Sequence, residues 1–461
     1  GLVFDTIIED KQNFRNFSLD DESISSLILN NAKKIPRRSL ALERSKLAKS
    51  IPKHTALIDF VSFNNWDDND SDWIGAILIT NEQKSPRWIK LCKADSVFSD
   101  LSKIRNSIGS HDLGLKFLLQ KIYRVIIEPL SLKFAKDIKT LIICPDAELN
   151  FIPFPALIDK NGSFLCEKYD IMNVSASRDL LFGNEPASKS KEISIFANPA
   201  FDDQDIEESL TIALMDTDRN AMRNLGFSPL PGTKKEAEEL SLISDSNGYS
   251  VNSFSKLNAS EKNLRAIKSP TILHLATHGF FISSEEEKKS KNRLAFLNDS
   301  QVEAPISNPM HRSGLALAGA KNTLKLWEEG KFVDPSNDGI LTAEEASQLD
   351  LRDTWLTVLS ACDTGSGVAR AGEGVLGLRR AFAMAGTENL LLTLWPVDDS
   401  FTKDFMVSFY KEALKTGNAP KAMAKVQKEW LIKLREERSV SQAVKLAGPF
   451  VLTFRGNPEL N

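Results

Sequence analysis

The stretch Thr271-Ile272-Leu273-His274-Leu275-Ala276-Thr277-His278-Gly279 is an apolar run that ends in an imidazole with glycine directly behind it. A second stretch, Thr354-Trp355-Leu356-Thr357-Val358-Leu359-Ser360-Ala361-Cys362-Asp363-Thr364-Gly365, repeats the arrangement with a thiol at its end. Short runs rich in Leu, Ile, Val and Thr read as strands buried on both faces, the kind that parallel sheets contain. Adjacent parallel strands deliver whatever follows them to one carboxyl edge, where open α/β sheets carry their chemistry. The pairing suggests a cysteine peptidase. A free thiol is mostly protonated at neutral pH, and an imidazole within hydrogen-bond reach lowers its pKa and later protonates the leaving amine. Gly279 lacks a Cβ, so its N–H can approach a scissile carbonyl and, with the N–H of Cys362, form an oxyanion hole.

More motifs surround this pair. Pro145-Asp146, Ile152-Pro153, Leu230-Pro231-Gly232-Thr233, Ser313-Gly314-Leu315 and Asp338-Gly339-Ile340-Leu341-Thr342 precede the cysteine, and Gly372-Glu373-Gly374 and Leu394-Trp395-Pro396-Val397-Asp398-Asp399 follow it. Taken with the two strands, this ordered series resembles the successive motifs of CHAT-domain peptidases, caspase-like relatives of separase that are often joined to tetratricopeptide repeats. The resemblance runs roughly from residue 56 to 455. It implies a caspase-like, doubly wound, mostly parallel α/β sheet. It also implies a dyad in which Cys362 attacks and His278 is general acid and base, with a backbone carbonyl able to orient the imidazole in place of a third side chain. Caspases proper place the histidine about 50 residues before a Gln-Ala-Cys motif. Here the two residues are 84 positions apart and the motif is Ser-Ala-Cys, so specificity for aspartate does not carry over.

Asp363, Asp398, Asp399 and Trp395 are expected at the substrate cleft, because the strand ends carrying the nucleophile and Trp395 should be neighbours. One aspartate could face a basic P1 side chain, as in separase-like relatives, or each could cap a helix. Lys403 could instead oppose a basic ligand, and the P1 preference stays open.

The 461 residues, 42% hydrophobic and 26% charged, suit a globular protein of two or three domains and exclude disorder throughout. A formal charge of −4 and the lack of a basic tract interleaved with aromatics give no support for nucleic-acid binding. No apolar run approaches the roughly 18 residues of a membrane span, and the first 20 residues lack a signal-peptide layout. A cytoplasmic protein is expected. Cys92, Cys144 and Cys166 show no metal-site spacing and read as buried thiols. The chain opens on Gly1 rather than methionine, from which a further N-terminal region is expected.

Three segments are expected: helical residues 1–55, the end of a repeat or a regulatory region; an α/β lobe over 56–190 without its own His/Cys pair, resembling the pseudo-protease lobe of separase-like enzymes; and the catalytic lobe over 191–461. The polar segment 283–310 leaves the histidine strand directly and reads either as a solvated loop or as a regulatory, self-cleaved flap. His274 shares a strand face with His278, but zinc proteases use that spacing on a helix with a glutamate inside it, so His274 reads as a hydrogen-bonded core residue. Gly372-Glu373-Gly374-Val375-Leu376-Gly377 fits the dinucleotide fingerprint, yet about ten residues separate it from the strand and Glu373 would repel a pyrophosphate. No cofactor or metal is expected. The expected activity is limited proteolysis of protein or peptide partners, switched on by an upstream activator, as in bacterial defence or regulated cell death. A catalytically inactive interaction module and a dinucleotide-binding oxidoreductase are the competing readings.

Overall fold

A computed structural model describes residues 44–65, 71–81, 86–107, 114–182, 190–202, 226–281, 309–329, 331, 333–360 and 371–458. Residues 1–43, most of the expected flap, and 361–370 with Cys362 and Asp363 lie outside the described residues. The first strands are β1 (Thr55–Asn65), β2 (Ser71–Thr80), β3 (Arg87–Lys93), β4 (Thr140–Cys144) and β5 (Asp170–Asn173), with helices α1 (Ala94–Ser107) and α2 (Gly114–Ile122) between β3 and β4. Then come β6 (Glu192–Pro199), α3 (Pro231–Ser246), β7 (Ser250–Lys256), β8 (Ile272–Ala276), β9 (His278–Phe281), β10 (Ser313–Ala316), β11 (Ile340–Thr342) and β12 (Leu356–Leu359). The chain closes with α4 (Ala371–Ala385), β13 (Asn389–Thr393), α5 (Asp399–Thr416), α6 (Ala419–Glu437), α7 (Val440–Ala447) and β14 (Phe450–Phe454).

Eleven strands form one mixed sheet in the order β3-β2-β1-β4-β5-β14-β13-β12-β8-β6-β7. Seven of its ten neighbour pairs are parallel, which requires the helical crossovers seen along the chain. The central strands are continuous apolar runs: Leu57, Ile58, Leu141, Ile142, Ile143, Ile272, Leu273, Leu275, Leu356 and Val358 are all 0% exposed. That is the burial a sheet sandwiched under helices demands. β14 runs parallel to β5 but antiparallel to β13, so β1, β4 and β5 point opposite to β12, β8 and β6. The carboxyl ends of the two strand sets therefore open at opposite edges. Side chains also join the two sets, with Arg379 of α4 donating to Asn150 at 2.6 Å and Arg435 of α6 to Glu167 at 3.1 Å.

The sequence reads as one strand from Thr271 to His278, but the structure breaks it. After Ala276 the chain leaves the large sheet and enters a separate antiparallel sheet of order β11-β10-β9. Thr277 sits at the corner, its hydroxyl donating to the carbonyl of Ala316. His278 is thus the first residue of β9, paired with Ala316.

α5 buries Phe401, Phe405, Phe409 and Ala413, spaced by four, together with Met406 and Tyr410. This is the stripe of a helix lying on a core. The helix starts at Asp398, whose carboxylate accepts from the amides of Ser400 and Phe401, and ends at Gly417 in the left-handed region at φ 65°. Among the described residues no helix is long and apolar enough to cross a membrane. Phe405 is 0% exposed and stacks on Phe450 of β14 with ring centroids 3.9 Å apart. Phe405→Ala is expected to lower stability by about 3–5 kcal/mol in chemical denaturation, and a loss below about 1 kcal/mol would show that this helix–sheet contact is not part of the core.

Candidate active site

His278 is 1% exposed, held in the corner between the two sheets. Its Nε2 donates to the carbonyl of Ser228 at 2.7 Å. A carbonyl only accepts, so this bond fixes the proton on Nε2 and leaves Nδ1 as the basic nitrogen of the neutral ring. Phe201 and Phe227 lie against the imidazole at centroid distances of 5.2 and 5.9 Å. They belong to a small apolar cluster with Leu230, Phe280 and Trp327. Burial pushes the imidazolium below its ordinary value of 6.5, while the Ser228 carbonyl and the charge of Asp399 act in the opposite direction. Burial wins, and the ring is poised as a neutral base at pH 7.

Asp399 opens α5 and lies over the first turn of α3. A Cβ on Gly232 would come within 2.6 Å of Asp399 Cβ, so the glycine of Leu230-Pro231-Gly232-Thr233 makes room for that side chain. Burial holds the Asp399 carboxyl above its ordinary value, with the charges of Asp398 and Glu236 adding to the rise and His278 opposing it. The structure therefore brings His278, Asp399 and Glu236 into one electrostatic group. Asp398 is occupied differently: its carboxylate caps α5, and the hydroxyl of Ser400 donating to it holds its pKa down. Trp395 is 7% exposed and its indole N–H donates to the carbonyl of Lys445 at 3.0 Å, which ties it to the end of α7. Lys403 pairs with Asp404 at 3.1 Å and Glu239 at 3.6 Å.

The backbone register fixes where the two motif strands end. β8 and β12 are parallel neighbours, and their last pair is Leu275 with Leu359. His278 is the third residue beyond Leu275 and Cys362 the third beyond Leu359. Gly279 follows His278 in β9, opposite Leu315. Beneath the corner, His274 is 0% exposed and its Nδ1 lies 2.9 Å from the hydroxyl of Tyr410. Glu236 of α3 is 2% exposed, with Oε2 accepting from the hydroxyl of Ser360 at 3.2 Å. Sequence reasoning missed Glu236, because Lys234-Lys235-Glu236-Ala237-Glu238-Glu239 looks like a solvated charged stretch. The available signal was its helical phase: Thr233, Glu236, Ala237, Leu240 and Ser244 form the buried face of α3.

Burial disfavours the thiolate at each of the described cysteines. Burial pushes Cys92 up to about 11 and Cys166 up to about 12. Cys144, at the carboxyl end of β4, is raised well above an ordinary thiol by burial and by the charge of Asp59. Cys92 is only half-buried, unlike the other two. The Gly-x-Gly pattern falls within the first turns of α4 rather than in a loop ahead of a helix, so it cannot form the phosphate-binding turn of a dinucleotide fold. Among the described residues no group of His, Cys, Asp and Glu is arranged to hold a metal ion.

The model of the CHAT domain family matches residues 116–444. Tetratricopeptide repeat protein 28 of Homo sapiens is 24% identical over 312 residues, covering 63% of this chain and 11% of that protein. The Mus musculus protein of the same name is 25% identical over 309 residues with the same coverage. The chain thus spans about a tenth of the length of the curated relatives it matches. Among solved structures, the Saccharomyces cerevisiae separase–securin complex matches with a TM-score of 0.45 and 10% identity, over 98% of this chain and 33% of that one. The arginine-specific cysteine proteinase gingipain R matches with a TM-score of 0.35 and 7% identity, over 77% and 68%.

An unfolded histidine takes up its proton near pH 6.5, and the folded His278 ring only below that. His278 therefore favours the folded state above the unfolded value, and this contribution is lost as the pH falls through the folded pKa. In an NMR pH titration the ring of His278 is expected to protonate below pH 6.5 and, in Asp399→Asn, lower still, because the supporting charge is gone. A wild-type midpoint at or above 6.5 would contradict the burial argument.

Proposed function

The chain belongs to the CHAT domain family, and we propose on that premise that it is a cysteine endopeptidase that cuts partner proteins by limited proteolysis. The observation that carries the reading is the oriented imidazole: His278 is buried, fixed through Nε2 by the Ser228 carbonyl, and stands three residues past Leu275, the last residue of β8 paired with β12. Nδ1 of His278 takes the proton from Cys362, and the thiolate attacks the scissile carbonyl carbon. The N–H groups of Gly279 and Cys362 hold the oxyanion. The imidazolium, favoured by the charge of Asp399, returns its proton to the leaving amine, which departs from an acyl-enzyme. A water then attacks the thioester with His278 again as base, and Cys362 is regenerated.

The raised thiol pKa values of Cys92, Cys144 and Cys166 support Cys362 as the nucleophile. Asp399 is the substrate-binding carboxylate we favour over Asp398, because the latter is taken up in capping α5. Asp363 stays in the proposal as a neighbour of the nucleophile. The relatives named for tetratricopeptide repeats support a repeat region as the upstream regulator.

The test is mass spectrometry of new protein termini in a proteome incubated with wild type, Cys362→Ala and His278→Ala. Wild type is expected to create termini absent with Cys362→Ala. His278→Ala should slow their appearance by about 10²–10⁴-fold, the usual weight of a general acid–base. The same termini from wild type and Cys362→Ala would overturn the reading, and no termini from either would favour a silent interaction module.

A further inference from the structure

Beneath the His278 corner four buried polar side chains lie in a row, three on α5, β8 and α3 and one just past β12. The hydroxyl of Tyr410 on α5 lies 2.9 Å from His274 Nδ1 on β8, and His274 Nε2 lies 3.2 Å from Glu236 Oε1 on α3. The hydroxyl of Ser360, directly after β12, donates to Glu236 Oε2 at 3.2 Å. Exposure is 1%, 0%, 2% and 6% for Tyr410, His274, Glu236 and Ser360. The contact of His274 Nε2 with Glu236 lacks hydrogen-bond angles, whereas the Ser360 contact has them.

A buried carboxyl is costly unless polar partners meet it. Where these partners come from explains its use. The ladder between β8 and β12 ends at Leu275 and Leu359, so Ser360 is the first residue past the end of that pairing. Glu236 takes hold there, two residues before Cys362. Eight residues before Glu236 stands Ser228, whose carbonyl orients His278. One stretch of chain, α3 and its leader, thus touches both lines that lead to the dyad.

We propose that Glu236 is a positioning residue for the nucleophile, acting through Ser360 to fix where the chain leaves β12 opposite His278. The inference rests on the cysteine-peptidase reading above. It does not require Glu236 to touch substrate.

The test is the rate at which iodoacetamide alkylates Cys362 at pH 7, read peptide by peptide in the full chain, for wild type, His278→Ala, Glu236→Ala, Glu236→Gln, Ser360→Ala and the Glu236→Ala/Ser360→Ala double variant. Half-buried Cys92 is the internal reference for an intact fold. His278→Ala is expected to slow labelling, because the imidazole activates the thiol. Glu236→Ala and Ser360→Ala should each slow it by about tenfold or more, since misplacement on the ångström scale is felt strongly by paired groups. The double variant should be no slower than either single, as two ends of one link require. Glu236→Gln keeps an acceptor for Ser360 and should recover most of the rate. If Glu236→Ala exposes Cys92, Ser360→Ala, which removes one hydroxyl, decides alone. His278→Ala slow with Ser360→Ala and Glu236→Ala at the wild-type rate, or additive slowing in the double variant, would overturn the positioning role and leave the dyad standing. A wild-type rate in His278→Ala would overturn the peptidase reading and this inference with it.

Discussion

The parallel pairing of β8 with β12 is the constraint on which the site depends. Four consecutive rungs, from Leu356 opposite Ile272 to Leu359 opposite Leu275, fix the level at which both chains leave the sheet. A shift of one residue would turn every buried side chain of either strand to the other face. Because both faces are close-packed and His274 meets the Tyr410 hydroxyl on only one of them, such a shift is strongly opposed. The corner at Thr277 then turns the histidine out of the large sheet and into the small one.

Around that corner the electrostatics and the packing pull against each other. Phe201 and Phe227 take His278 out of water and favour its neutral form, while Asp399 favours the charged one. Burial dominates for both groups, since His278 is lowered and Asp399 raised. The imidazole is therefore neutral at pH 7, with the Asp399 carboxylate beside it. Charge that develops during a reaction would meet groups already oriented for it: the Ser228 carbonyl behind the ring and the Asp399 carboxyl beside α3. Gly232 makes this arrangement sterically possible, which gives the Leu-Pro-Gly-Thr motif a physical reason.

The central strands could be read directly from the residues, because strands buried on both faces are unbroken apolar runs. β1, β4, β8, β12 and β13 are of this kind. The recurrence of Phe401, Phe405, Phe409 and Ala413 every fourth residue makes α5 legible as a helix. The edge strands were hidden for the converse reason: β3 (Arg-Trp-Ile-Lys-Leu-Cys-Lys) and β7 (Ser-Val-Asn-Ser-Phe-Ser-Lys) are partly solvated and carry the polar residues that edges need. The break at Thr277 was also hidden, since nothing in an apolar run marks a change of sheet. In the candidate site, His278 and Asp399 lie in motifs the sequence offers, as do Asp398, which caps α5, and Trp395, which is tied to Lys445. The Ser228 carbonyl could not, because a backbone acceptor has no sequence signature, and Glu236 was masked by its charged neighbours. The reversal at β13 and β14 was likewise out of reach, because strand direction depends on which strands pair.

That reversal separates two edges with different chemistry. One carries the oriented histidine; the other carries Asp59 and Cys144, whose thiol is driven far from ionisation. The central claim is that the histidine edge holds a working pair, and the most direct measurement is the distance from Cys362 Sγ to His278 Nδ1 in a crystal structure of the active chain. The expected separation is about 3–4 Å, with Nε2 still on the Ser228 carbonyl. A sulfur on the other face of the sheet, or Nδ1 turned away from it with the Ser228 bond broken, would contradict the account.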